Sequence, residues 1–283
     1  MGLGYCVGLP AKDLFSQMPG KLPPRFNVGR LVLRVRPAAL ASFIKSLLGI
    51  RRCVLATREG EFWVDPASVT GVTLAQDGEY DPLTLGVIKK LIRTGDTFID
   101  LGANEGYFTV VASKLVGHAG RVIAVEPQSR LASVIARNLS LNGCANVTLV
   151  RAAVSDHRGV AEFHLTPDVN NAASGLAAPT RYRLATEQTP VITLGDLLAM
   201  APGTSPVLKM DIESFEYEAI QESESVFREG VVRALILEIH VDMLRKRALE
   251  IEAVPRLLRA CGYEQPAQFG GLVWARPATP LPP

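Results

Sequence analysis

The segment Asp100-Leu-Gly102-Ala103-Asn104-Glu-Gly106 sets a carboxylate ahead of a turn with two glycines four residues apart. An apolar run precedes it and an amphipathic run follows. A strand, a glycine turn and a helix form a phosphate cradle, because the turn presents backbone N–H groups and the helix start attracts anions. Gly102 lets the chain turn and lets a ligand approach with no side chain in the way. The pattern D-x-G-x-N-x-G departs, however, from the dinucleotide pattern G-x-G-x-x-G. A diphosphate disfavours an acid at Asp100, whereas a ligand with an ammonium and a sulfonium, such as S-adenosylmethionine, is matched by one.

Four further stations carry candidate chemistry. Glu126, in "VIAVEP" and 26 residues after Asp100, can accept both hydroxyls of a ribose, of an adenosyl or an NAD ligand alike. The ribose reading is taken here, the alternative being an acid that stabilises a helix start. Pro127 then begins that helix and offers an apolar wall beside an adenine. In "NVTLVRAAVSD", Ala153 and Asp156 fall near an adenine edge, where Asp156 either accepts from the exocyclic amine or caps a turn. "VLKMDIESFEYEAI" gathers Lys209, Asp211, Glu213 and Glu216 within eight residues. Acids favour helix N-termini in any case, but Asp211 closes a run that should be buried, and a buried charge needs a partner or a task. "LILEIH" adds Glu238 and His240; His240 has the intrinsic pKa of a general base, or is a hydrogen-bonded bystander.

These stations require strands that end where they stand. Short, nearly all-apolar runs predict strands at Thr97–Leu101, Arg121–Val125, Val147–Val150, Val207–Met210 and Ala234–Ile239. Helices are predicted between them, at Tyr107–Val116, Gln128–Leu141, Glu216–Ser223 and Ile251–Cys261. The alternation predicts a doubly wound α/β sheet with ligands outside the carboxyl ends of its strands. "VAEFHL" and "TPVITL" read as added strands around the loop "TPDVNNAASGLAAPTRYR". The tail "FGGLVWARP" reads as a last, antiparallel strand. Ahead of the sheet come a Gly/Pro-rich irregular lead through residue 36, a helix over Ala38–Ile50, a hairpin (Cys53–Thr57 with Glu61–Val64), and a helix from Pro82 to Gly95.

The chain has 283 residues, 48% of them hydrophobic, and a formal charge of +2. That near balance argues against a nucleic-acid-binding surface. Cys6, Cys53, Cys144 and Cys261 are far apart and form no C-x-x-C pair, which fits a reducing, cytoplasmic setting without disulfides or zinc. The first residues lack a secretory pattern. Ala38–Ile50 contains Lys45 and is too short to span a bilayer. With Arg51 and Arg52 behind it, it suits either a packed helix, the reading taken here, or a membrane or partner surface.

The order "GEYDP…FIDLGANEGYFTVVASK…VIAVEP…NVTLVRAAVSD…TLGDLL…LKMDIESFEYEAI…LILEIH" resembles the FkbM family of class I S-adenosylmethionine-dependent methyltransferases, most specifically at D-x-GAN-x-G-Y and K-x-D-I/V-E-x-F-E. The resemblance implies a Rossmann-like sheet of about seven strands, the last antiparallel, in a domain over residues 78–283 behind an extension at 1–77. It implies S-adenosylmethionine as cofactor and O-methylation of a sugar or natural-product acceptor. Asp100, Gly102, Asn104 and Gly106 would hold the methionine part, Glu126 the ribose, and Asp211 the methionine side or the substrate edge. Tyr80, Ala103 and Tyr107 join them as cofactor-binding residues. The chain has Asp81 where Y-E-P is usual, and Gly195 where Asp is common. For the base that an alcohol acceptor needs, the candidates are Asp211, Glu213 and His240. No metal is expected, the acids lacking a convincing ligand set. The rivals are an NAD-type oxidoreductase and a methyltransferase-like binding module without turnover.

Overall fold

A computed structural model describes residues 23–165, 174–176, 185–213 and 215–277. The lead is not irregular throughout: helix α1 (Pro24–Leu33) forms within it. Pro24 suits the first helical turn because its missing N–H has no partner to lose there, and Phe26, Gly29 and Val32 turn inward. Residues 1–22 lie outside the described residues. Helix α2 (Ala38–Leu47) follows, then the expected hairpin of β1 (Cys53–Ala56) and β2 (Glu61–Val64), in register from Cys53↔Val64 to Ala56↔Glu61. Helix α3 (Val69–Asp77) was not expected, and the Ser68 side chain caps it by accepting from Gly71 N. Helix α4 (Pro82–Leu91) stops short of Gly95. The buried Ile92 is already extended, and the Asp96 carboxylate accepts from Arg93 N at 2.7 Å.

From Thr97 the predicted alternation appears: β3 (Thr97–Leu101), α5 (Tyr107–Val116), β4 (Arg121–Val125), α6 (Ser129–Leu141), β5 (Val147–Val150), β6 (Ala153–Val154), β7 (Gly159–Leu165), β8 (Ala185–Ile192), α7 (Leu194–Ala199), β9 (Val207–Met210), α8 (Glu216–Glu222), α9 (Glu224–Glu229), β10 (Ala234–Leu237), α10 (Val241–Lys246), α11 (Ala253–Ala260) and β11 (Val273–Ala275). The central sheet runs β11–β10–β9–β3–β4–β5. All its pairings are parallel except β10 with β11. About seven strands were expected, and among the described residues the sheet has six. The place beyond β11 holds a single antiparallel bridge, Glu264↔Ala275. It does not extend because Tyr263 turns into the core with its hydroxyl donating to Val232 O, and Pro266 has no N–H for a ladder.

Side chains alternate between two cores, as strands buried on both faces require. Phe98, Val122, Val207 and Ile236 pack with Phe26, Phe62, Leu85 and Ile88 on one face. Ile99, Ile123, Leu208 and Leu235 pack with Leu194, Phe227 and Leu258 on the other. β6, β8 and β7 form a separate three-stranded sheet from the added strands; most of the intervening loop lies outside the described residues. Strand order reverses between β3 and β9, which leaves a crevice at their carboxyl ends. Among the described residues no helix is long and apolar enough to cross a membrane.

Two glycines test how α1 and α4 sit. A Cβ on Gly29 would lie 1.8 Å from Pro66 O, whereas one on Gly86 meets nothing within 4 Å. Gly29→Ala is expected to lower stability by about 1–3 kcal/mol, and Gly86→Ala to raise it by about 0.5–1 kcal/mol. Denaturant unfolding checks both signs.

Candidate active site

The crevice is built around a lysine. Asp100 on β3 stands in register with Lys209 on β9, and both are buried. Lys209 Nζ lies 3.6 Å from Asp100 Oδ1 and 3.5 Å from Asp211 Oδ2, and donates to Gly102 O at 3.4 Å. Thr109 Oγ1 donates to Asp100 Oδ2 at 2.6 Å. Burial works against the lysine's charge, but the carboxylates of Asp211, Asp100 and Glu238 outweigh it and raise its pKa above the ordinary value.

The glycine turn closes directly on β9. Gly102 has φ 78, and a Cβ there would lie 1.9 Å from Asp211 O; only glycine fits such an approach. Asn104 N donates to Glu126 Oε2 at 2.8 Å, and Gln128 N to Glu126 Oε1 at 3.0 Å. Burial pushes the Glu126 carboxyl up to about 7, against the pull of those hydrogen bonds.

A recess of about 600 Å³ opens here, lined by Gly102, Asn104, Glu126, Pro127, Ala153, Asp211 and Glu213. Val154, Phe163 and Leu176 give it apolar walls, a contribution of the added strands and their loop that the sequence reading did not assign. Asp100 does not line it and lies fully buried beneath. Ala103 is buried against Ala124 and Ile135, and Gly106 backs onto Ile135. The Tyr107 ring turns away into an aromatic cluster, 5.0 Å from Phe62, 5.4 Å from Phe108 and 6.0 Å from Tyr80. Asp156 stands apart, half-exposed and bonded to His157 Nδ1 at 2.7 Å. Lys209 was legible as part of the charged station around Asp211, but its partner Asp100, on another strand, was not.

A second cluster adjoins Asp211. His240 Nε2 lies 3.6 Å from Asp211, 3.8 Å from Glu213 and 3.9 Å from Glu238, and its Nδ1 is 3.9 Å from Glu216. Burial lowers the imidazole pKa, but Glu216, Glu213 and Asp211 more than reverse this and hold it up at about 9. Burial also pushes Glu213 up to about 7, with Asp211, Glu216 and Glu238 adding to it and His240 opposing. Glu213 has φ 53, a strained backbone for a residue with a side chain. Asp211, Glu213 and His240 offer ligand atoms within 4.8 Å of one another. Such a set takes up a cation only if His240 loses its proton. A second recess of about 520 Å³, with Asp81, Thr84, Lys209, Leu237 and Glu238 in its wall, shares Asp211 with the first.

If Lys209 is the cation that Asp100 needs, Lys209→Met leaves an uncompensated buried charge and should cost about 3–5 kcal/mol in denaturant unfolding. Adding Asp100→Asn to that variant should restore part of the loss, a coupling that a double-mutant cycle reads directly.

The chain matches the family model "Methyltransferase FkbM domain" over residues 100–264. A stretch of 59 residues is 36% identical to protein-L-isoaspartate O-methyltransferase 1 of Archaeoglobus fulgidus, covering 21% of this chain and 27% of that protein. The match thus spans little more than a quarter of that relative. Among solved structures, the precorrin-6y C5,15-methyltransferase of Geobacter metallireducens is similar with a TM-score of 0.40 at 16% identity, covering 70% of this chain and 77% of that one. A methyltransferase FkbM of Methylobacillus flagellatus gives a TM-score of 0.36 at 13% identity, over 65% and 46% of the two chains. With more than half of its length under one family model, the chain belongs to the FkbM methyltransferase family.

Proposed function

We propose that this chain methylates a hydroxyl of a sugar or natural-product acceptor, with the adenosyl part of the cofactor in the first recess and the acceptor in the second. The observation that carries this reading is the position of Asp211, which lines both recesses. S-adenosylmethionine supplies a methyl group on a sulfonium, with a neutral thioether as leaving group. The residues present fit that group. Gly102 allows close backbone approach, Glu126 has lone pairs left for ribose hydroxyls, and Pro127, Ala153 and Phe163 give a purine apolar walls. Asn104 Oδ1 is buried with no hydrogen-bond partner and is free to accept from a ligand.

Asp100 acts at one remove, by fixing Lys209 and through it Asp211 and the Gly102 carbonyl. The acids bordering the cavities favour a cationic ligand on one side and hydroxyl donors on the other. Asp81, Asp211 and Glu238 face one lysine in the second recess, a balance that disfavours phosphate-bearing acceptors such as nucleic acid. An alcohol is a poor nucleophile at neutral pH, and a base works best with a pKa near the working pH. Glu213, which lines the first recess beside the Asp211 wall common to both, meets that condition, so we assign it the acceptor proton where the two recesses meet. Asp211 orients the hydroxyl, and His240, protonated at neutral pH, serves as counter-ion to the acids rather than as base. Among the described residues Cys53, Cys144 and Cys261 are in no disulfide, as a reducing, cytoplasmic setting would have them.

Because Glu213 must be ionised to act, kcat should rise with pH through about 7 and fall as His240 loses its proton near 9. Glu213→Gln should remove the acidic limb and lower kcat by about 10²–10⁴-fold, with S-adenosylhomocysteine affinity nearly unchanged. Glu126→Gln should instead weaken that affinity by about 1–3 kcal/mol and flatten its rise with pH through 7. Turnover should survive a chelator; its loss would move the reading to cation-assisted transfer at Asp211, Glu213 and His240.

A further inference from the structure

Eleven large apolar side chains are exposed among the described residues, and six of them fall between residues 28 and 48: Val28, Leu31, Leu40, Phe43, Leu47 and Leu48. Leu40, Phe43 and Leu47 follow helical spacing and form one face of α2, with Phe43 65% and Leu47 76% exposed. The opposite face holds the buried Ala41 and Lys45, the latter ion-paired with Asp65. On α1, Val28 and Leu31 point out while Phe26, Gly29 and Val32 pack inward. Monomeric proteins rarely leave apolar side chains so concentrated in one place.

The charge around them has one sign. Residues 23–52 contain six arginines, one lysine and no acid, in a chain whose formal charge is only +2. Arg25, Arg30, Arg34, Arg36 and Arg51 are exposed. Apolar residues on short helices with arginines beside them suit the boundary between lipid headgroups and acyl chains. A second copy suits the face poorly, since a two-fold contact would set arginines against arginines. Residues 1–22 bring one acid, Asp13, against Lys12 and Lys21, so they offer no neutralising charge either.

We propose that the outer faces of α1 and α2 dock this enzyme on an anionic lipid bilayer, Phe43 and the leucines entering the headgroup boundary and the arginines meeting lipid phosphates. The docking unit is tied to the catalytic end. Arg52 donates to Glu105 Oε1 at 2.8 Å, and Glu105 follows Asn104 in the glycine turn. An acceptor carried on a lipid would then be presented to the crevice by the same contact.

The test is co-sedimentation of the full chain with phosphatidylcholine vesicles that contain or lack phosphatidylglycerol. Binding is expected only to the anionic vesicles. It should fall by about tenfold or more in the double variant Phe43→Glu/Leu47→Glu, and be largely lost in roughly 1 M NaCl, where the screening length is about 3 Å. The variant should keep the native melting temperature and its affinity for S-adenosylhomocysteine. Absence of binding to anionic vesicles, or binding indifferent to both substitutions, would overturn the proposal. So would a dimer in sedimentation velocity that the two substitutions dissociate, since that would assign the face to a second copy.

Discussion

A buried lysine between two aspartates is the constraint on which this structure turns. Lys209 has Asp100 beside it across the β3–β9 pair and Asp211 two residues along its own chain. Neither Lys209 nor Asp100, both buried, is tolerable there alone, because an unpaired ion in the interior costs several kcal/mol. The pairing therefore holds where strand order reverses and the sheet most needs a fixed register. Through the Gly102 carbonyl it also fixes the turn, and through Asp211 it fixes the wall common to both recesses.

The rest of the site follows from excess negative charge around two cations. Lys209 answers Asp100 and Asp211, and His240 answers Asp211, Glu213, Glu216 and Glu238. Burial pushes Glu126 and Glu213 both up to about 7, with neighbouring carboxylates adding to it. One borders the glycine turn and the other the imidazolium. On the proposed reading these two carboxyls serve different roles, one gripping a ribose and one taking a proton.

β3, β4 and β9 were legible in the sequence to the residue, because strands buried on both faces are nearly all apolar; the half-buried edge strand β5 was legible at the same precision from its short apolar run. α1 was not: its prolines and glycine read as loop, and only the close approach of Gly29 to Pro66 explains why a glycine belongs in that helix. α3 was hidden for a related reason, since the run Val69-Thr-Gly-Val-Thr73 has poor helix propensity and depends on the Ser68 cap. In the site, backbone-defined positions such as Gly102, Asn104 and Glu126 could be read from turn spacing. Side-chain direction could not. Tyr107 follows the glycine turn directly, yet packing with Phe62 takes its ring away from the recess. Asp211 and His240 are distant in sequence, and only the parallel pairing of β9 with β10 brings them together.

On the proposed reading the crevice is shaped for an adenosyl ligand with a positive charge rather than for a dinucleotide. Calorimetric titration of the purified chain with S-adenosylhomocysteine, and separately with NAD, tests that claim most directly. Saturable one-to-one binding of S-adenosylhomocysteine and no heat from NAD is the predicted result. Binding of NAD without binding of S-adenosylhomocysteine would contradict the account.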